Sequence, residues 1–102
     1  MEAKFEIGQV IHHLTYDYRG VVVDVDPIFY GTNDLYDQLA QNQPPKDKPW
    51  YHILVDNTTL MTYASEKQIE PDISGIPIEH PWVGHFFDGF NNGKYHKRQK
   101  DN

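Results

Sequence analysis

Pro49-Trp50-Tyr51-His52-Ile53-Leu54-Val55 joins a proline stop, two large aromatics, a histidine and an aliphatic run within seven residues. In an extended chain alternate side chains point to opposite faces. Tyr51, Ile53 and Val55 therefore share one side, and Trp50, His52 and Leu54 the other. Both sides are largely apolar, so the segment reads as the central strand of a small sheet or barrel, where neither face meets water.

The stretch Gly20-Val21-Val22-Val23-Asp24-Val25-Asp26-Pro27 is a second strand: its valines have stiff χ1 angles that disfavour helix, and Pro27 ends the ladder. Phe5 to His13 reads as an approach and a first strand, with Val10, Ile11 and Leu14 as apolar contacts. Asp17-Tyr18-Arg19-Gly20 then forms the turn of a hairpin. After the central strand, Asp56-Asn57-Thr58 turns the chain into a strand over Thr59 to Ala64. Ser65-Glu66-Lys67-Gln68 has the form of a capping box holding one helical turn, and Ile69 begins a short closing strand.

Residues 28 to 49 form a long polar excursion. In it Asn33 or Asp34 is predicted to cap a short helix over Leu35 to Ala40, with Leu35, Leu39 and Tyr36 facing the body, before an irregular linker from Gln41 to Pro49. Pro71 to Pro81 contains three prolines and one glycine, which excludes a long helix and predicts a strap across the body. Trp82, Phe86, Phe87, Phe90 and Tyr95 follow within fourteen residues, too much aromatic surface for a disordered end. This tail is expected to dock on the barrel or on a partner, with Lys97 to Asn102 frayed.

The expected fold class is all-β: a small, strongly bent antiparallel sheet closing into an SH3-like barrel, with a long loop that holds a short helix. One domain spanning residues 1–102 is expected, with the barrel at about 4–70 and the strap and aromatic tail at 71–102.

The absence of cysteine removes disulfides, thiolate metal sites and thiol catalysis, and suits a reducing, cytoplasmic location. The start lacks a basic region followed by an apolar run, and no segment approaches membrane-spanning length, so no membrane partner is expected. Nine Lys and Arg against fifteen Asp and Glu give a net charge of -6, which opposes unaided attraction to nucleic acid. Four of the nine bases, Lys94, Lys97, Arg98 and Lys100, nevertheless fall in the last nine positions with His96 among them.

His52 suits proton transfer or ligation, or half-buried packing against a hydrogen-bond partner; no nucleophile accompanies it in the motif, which favours packing. His12 and His13 are adjacent on a strand and point apart, so they cannot easily chelate one metal together. His80, His85, His96 and Asp88 match no compact zinc spacing. Asp24 and Asp26 share a side of the valine strand, where paired carboxylates divide acid and base roles or simply serve the turn at Pro27. Trp50 and Tyr51 fit an aromatic recognition surface or a core, and the basic tail fits phosphate contacts, with Tyr95 stacking on a base, or a solvated end. No catalytic residue, metal or cofactor is expected.

Four blocks carry a resemblance. Phe5-x-x-Gly8-Gln9-x-x-x-His13, Arg19-Gly20-Val21-Val22-Val23-Asp24-Val25-Asp26-Pro27, the Pro49 to Val55 stretch and Thr62-Tyr63-Ala64-Ser65-Glu66 resemble the successive blocks of the HspQ and YccV-like family, the hemimethylated DNA-binding domain. They come in the family's order, with the long variable loop between the second and third, and cover about residues 4 to 70. The end of the chain, His80-Pro81, Phe86-Phe87-Asp88 and Tyr95, departs from the shorter polar end of the bacterial heat shock members and looks like an extended version of the domain.

The resemblance implies a non-enzymatic protein that binds hemimethylated DNA and affects replication-initiator control. It also implies a factor in ATP-dependent protein degradation under heat stress, with a protease or its substrates as partner. Arg19, Trp50, Tyr51, His52, Lys94, Tyr95, Lys97 and Arg98 are the residues put forward for DNA or partner contact. Readings from other classes are a small metal-dependent hydrolase using His52, Asp24 and the tail histidines, and a homo-oligomeric structural module joined through the aromatic tail.

Overall fold

The computed structural model describes residues 2–39 and 43–99. Its strands are β1 (Val10–His13), β2 (Arg19–Asp26), β3 (Trp50–Val55), β4 (Met61–Ser65), β5 (Ile69–Pro71), β6 (Phe87–Asn91) and β7 (Lys94–Lys97), with two short helices, α1 (Asn33–Leu39) and α2 (Val83–Phe86). The first five strands form one antiparallel sheet in the order β4-β3-β2-β1-β5, and β6 pairs with β7 as a separate hairpin. The all-β, antiparallel class is as expected. The edge strands β4 and β5 are joined through a 3-10 turn, Glu66–Gln68, and no ladder links them among the described residues.

The Trp50 to Val55 segment is an interior strand, paired on both sides, but the centre of the sheet is β2. The reason is the same for both strands: β2 is also apolar on its two faces. Phe5, Ile11, Val22, Tyr51, Ile53, Ala64 and Ile69 make a core on one face. Val10, Val21, Val23 and Leu54 lie on the other, where Ile78, Phe87 and Tyr95 cover them. Burying each such side chain contributes roughly 1.5–3 kcal/mol, a large part of a domain's net stability. The strap and the terminal hairpin therefore supply the second core that a two-faced apolar sheet requires.

Local chemistry sets the connections. The capping box is complete: the Ser65 hydroxyl accepts from Lys67 N and the Gln68 side chain accepts from Ser65 N. Thr32, not Asn33 or Asp34, caps α1, its hydroxyl accepting from Leu35 N at 3.1 Å. Ala40, Gln41 and the Leu39 side chain lie outside the described residues. Leu14 is 53% exposed, because β1 ends one residue earlier and the chain turns there. The fourth strand starts at Met61 and not Thr59, since Thr58 holds the turn open with bonds to Val55 O and from Leu60 N.

From Phe86 onward the aromatic tail docks on the sheet, mainly as the β6–β7 hairpin, whereas Trp82, ahead of α2, does not dock and stays 51% exposed. The hairpin's turn is Asn92-Gly93 with φ of 55° and 75°, the type I′ pair that matches the twist of flanking strands. Asn-Gly is the signal in the sequence that distinguishes a hairpin here. Order runs past Lys97, which ends β7: Arg98 N donates to Phe86 O and the guanidinium to Gly84 O. Lys100 to Asn102 lie outside the described residues. Gly8 joins hairpin to sheet. Its φ is +95°, its N donates to Val22 O, its O accepts from Tyr95 N, and a Cβ there would meet Tyr95 O at 2.2 Å.

Arg19 ties the strap down. Its guanidinium reaches Asp56 and Asp72, each at 3.1 Å, Ser74 Oγ at 3.2 Å, and the carbonyl of Ile76. Asp56 Oδ1 accepts from Glu79 N, and Tyr95 OH accepts from Ile78 N at 2.8 Å, so the strap is held at three places along its length.

Candidate binding surfaces

A β-bulge decides what faces the cleft between β4 and the long loop. The β2–β3 register shifts between Val22 and Asp24, leaving Val23 as the extra residue. Strict alternation from Val22, which faces the first core, would turn Asp24 and Asp26 inward with it. The bulge reverses the parity: Asp24 pairs with His52, Val25 with Tyr51, and Asp26 with Trp50. Val25 then packs on the first core while both carboxylates emerge beside His52. Ligand atoms of Asp24, Asp26 and His52 lie within 4.8 Å of one another.

Asp26 sits at the floor of a cleft of about 410 Å³, lined also by His52, Met61, Thr62 and Tyr63 from the sheet and by Tyr30, Gly31 and Leu35 from the long loop. His52 Nε2 donates to Asp26 Oδ2 at 3.0 Å and Tyr63 OH donates to the same oxygen at 2.6 Å. Burial, reinforced by the bond to Asp26, pushes the Tyr63 hydroxyl well above the usual phenol range, so it remains a donor. The long loop is built onto the sheet by aromatic contacts. Phe29 meets Trp50 edge-on at 4.8 Å, Trp50 Nε1 donates to Pro45 O, and Lys46 lies 4.3 Å from the centre of the Tyr36 ring.

Trp50 and Tyr51 are both fully enclosed, so neither offers a face on which a base could stack. Trp50 anchors the long loop. The Tyr51 hydroxyl donates to Glu66 and accepts from Phe5 N, fastening the amino-terminal segment. Tyr95 is buried against Phe87 and Ile78 and likewise presents no ring. Arg19 is committed to the strap. His52 borders the cleft, half-buried, through its tie to Asp26.

The histidines do not converge. His80 Nε2 donates to Leu60 O while its Nδ1 accepts from Trp82 N, which fixes its tautomer. His12 lies between Asp17 and Glu70, which hold its pKa above the ordinary value through hydrogen bonds. His13 is buried between the Tyr16 and Tyr18 rings, and burial lowers its pKa. Of the metal-hydrolase set, only His52 and Asp24 come together, with Asp26 in place of the tail histidines.

Lysines gather elsewhere, from residues far apart in sequence and with acids interspersed among them. Lys4, Lys48 and Lys67 line one groove of about 540 Å³, together with Glu2, Asp47 and Glu66. The Glu66 carboxylate is already engaged by Tyr51 OH and Lys4 N. Lys94, His96 and Lys97 line a second groove, across the same amino-terminal segment, where Lys94 pairs with Glu6. Lys4, Lys48 and Lys67 carry no mark in the sequence, because the 3-10 turn, the end of the long loop and the amino-terminal segment meet only in three dimensions.

The family model described as "Hemimethylated DNA-binding protein YccV like" matches residues 3–94 of this chain, from the amino-terminal segment to the first residue of β7, including the long loop and the strap. With four sequence blocks on β1 to β4 and a match across nearly its whole length, the chain belongs to the YccV-like hemimethylated DNA-binding family.

Proposed function

We propose that this protein is a non-enzymatic binding module that engages hemimethylated DNA along the face flanking its amino-terminal segment. The family match over residues 3–94 carries this reading. The two lysine-lined grooves support it, since phosphate contacts position a protein on a duplex before any base is read. Lys94 and Lys97 remain candidate phosphate contacts, and Lys4, Lys48 and Lys67 join them. Trp50, Tyr51 and Tyr95 shape the face from within. Through such binding the protein would influence control of the replication initiator.

The test is binding of one duplex in unmethylated, hemimethylated and fully methylated form, measured by fluorescence anisotropy between about 50 and 200 mM salt. The hemimethylated duplex is expected to bind tightest. The combined variant Lys48→Gln and Lys67→Gln should lower the slope of log affinity against log salt by about 2, one for each phosphate left without its lysine. Equal affinity for the three duplexes, or no binding at the low-salt end, overturns the reading.

A role as a factor in ATP-dependent protein degradation under heat stress is the second reading. The net charge of -6 favours it, because an acidic body suits a protein partner better than a polyanion. Pull-down from heat-stressed cells, scored for protease subunits, separates it from the first: recovery of DNA without protease rules it out.

A further inference from the structure

The cleft at the bulge has a chemistry opposite to that of the lysine grooves. Among the described residues no Lys or Arg lines it. Its floor carries the Asp26 carboxylate, with Asp24 alongside, and its wall includes Leu35 of α1, a helix that also carries Asp34 and Asp37. Two carboxylates this close repel each other, and a bound cation relieves that repulsion. The walls are aromatic and apolar: Tyr63 on the sheet side, Met61 beside it, and Tyr30 at the mouth with 64% exposure. At about 410 Å³ the cleft lies within the roughly 300–1,000 Å³ usual for ligand sites.

A carboxylate in a tyrosine-lined cleft, with a second carboxylate beside it, suits one group best. A guanidinium is planar, stacks on aromatic faces, and pairs with carboxylates through several N–H donors. The cleft also opens beside edge strand β4, so an extended chain has room to run along its rim. We infer that this cleft is a receptor for an arginine side chain of a peptide or protein partner, with Asp24 and Asp26 facing the guanidinium and Tyr30 stacking on it. This site is independent of the DNA reading, which uses another face and the opposite charge.

The probe is an acetylated, amidated five-residue peptide with one central arginine, titrated into the full-length protein and followed by amide NMR shifts. A citrulline peptide is the neutral, isosteric control. Saturable shifts at Gly31, His52 and Tyr63 are expected with arginine, and binding at least about tenfold weaker with citrulline, which cannot form a charge-assisted pair. Tyr30→Ala and Asp24→Asn should each weaken the arginine peptide severalfold. Both side chains are exposed, and asparagine keeps an oxygen for the Asp24 bond from Val25 N, so the fold is preserved. Equal binding of citrulline, shifts that do not saturate, or the same shifts produced by a hemimethylated duplex or by a divalent metal salt instead of the peptide would overturn the proposal.

Discussion

Replacing Arg19 with glutamine separates two roles for this residue, a DNA contact or a clamp on the strap. The guanidinium sits at 3.1 Å from both Asp56 and Asp72, and the three side chains are 23%, 13% and 14% exposed. A surface ion pair contributes about 0–1 kcal/mol and breaking a fully buried one costs about 3–5 kcal/mol. This half-buried cluster falls between those limits. Losing it should destabilise the domain by about 2 kcal/mol, which for a chain of this size lowers Tm by roughly 8–16 °C.

The acid limb of the stability profile provides an internal check. Burial raises the Asp72 carboxyl, but hydrogen bonds from Ser74 and Arg19 and the Arg19 charge outweigh it and hold the group below its ordinary 3.8. A depressed carboxylate stabilises fully above its unfolded pKa, and that stabilisation is lost as pH falls through the lower folded value. Arg19→Gln should therefore flatten the loss of stability below about pH 4 as well as lower Tm at neutral pH. The assay is thermal melting by circular dichroism from neutral pH downward, with urea unfolding to confirm that the midpoint moves and the m-value does not. A fall in Tm of less than about 3 °C would refute the clamp. So would an unchanged melt with a salt slope for DNA reduced by about 1, which would return Arg19 to phosphate contact.

Adjacent histidines should titrate in opposite directions. By NMR, His12 is expected to titrate above 6.5 and His13 below it. His12 stabilises below its unfolded pKa and loses that contribution as pH rises, whereas the penalty from buried His13 grows as pH falls below 6.5. His12→Gln should therefore steepen the loss of stability between pH 7 and pH 5, and a parallel profile would refute this. Tyr95→Phe removes the acceptor for Ile78 N inside the second core, an unsatisfied buried donor that costs about 1–3 kcal/mol; an unchanged urea midpoint would refute it. Gly8→Ala sets a Cβ against Tyr95 O at a φ of +95°, so overpacking of about 1–3 kcal/mol adds to backbone strain. Faster amide exchange in β7 than in β2 is expected in that variant, and uniform exchange would count against it.

Much of the scaffold is local and was legible for that reason. The valine run and the Trp50 to Val55 stretch encode extended structure through side-chain shape; the capping box encodes its helical turn through two reciprocal hydrogen bonds within Ser65 to Gln68, and the strap is set by its prolines. The order of the four blocks was enough to indicate the family, because strand sequence and loop position are properties of the chain itself. Asn92-Gly93 is equally local and marks a hairpin, but the expectation from sequence is only a docked aromatic tail without this turn.

Placement of the functional groups was decided only by tertiary structure. Composition showed an acidic chain with a basic tail, but the lysines at 4, 48 and 67 gather because three unconnected segments pack together. Arg19, Trp50, Tyr51 and Tyr95 have side chains suited to recognition, and their neighbours convert each to a structural role. Asp24 and Asp26 share a face by strict periodicity, yet which face depends on one inserted residue at Val23. A bulge is a compromise among the registers of two whole strands, so no single stretch of sequence contains it. It turns two carboxylates that would have been buried with Val22 outward beside His52, Asp26 lining the open cleft and Asp24 standing exposed next to it.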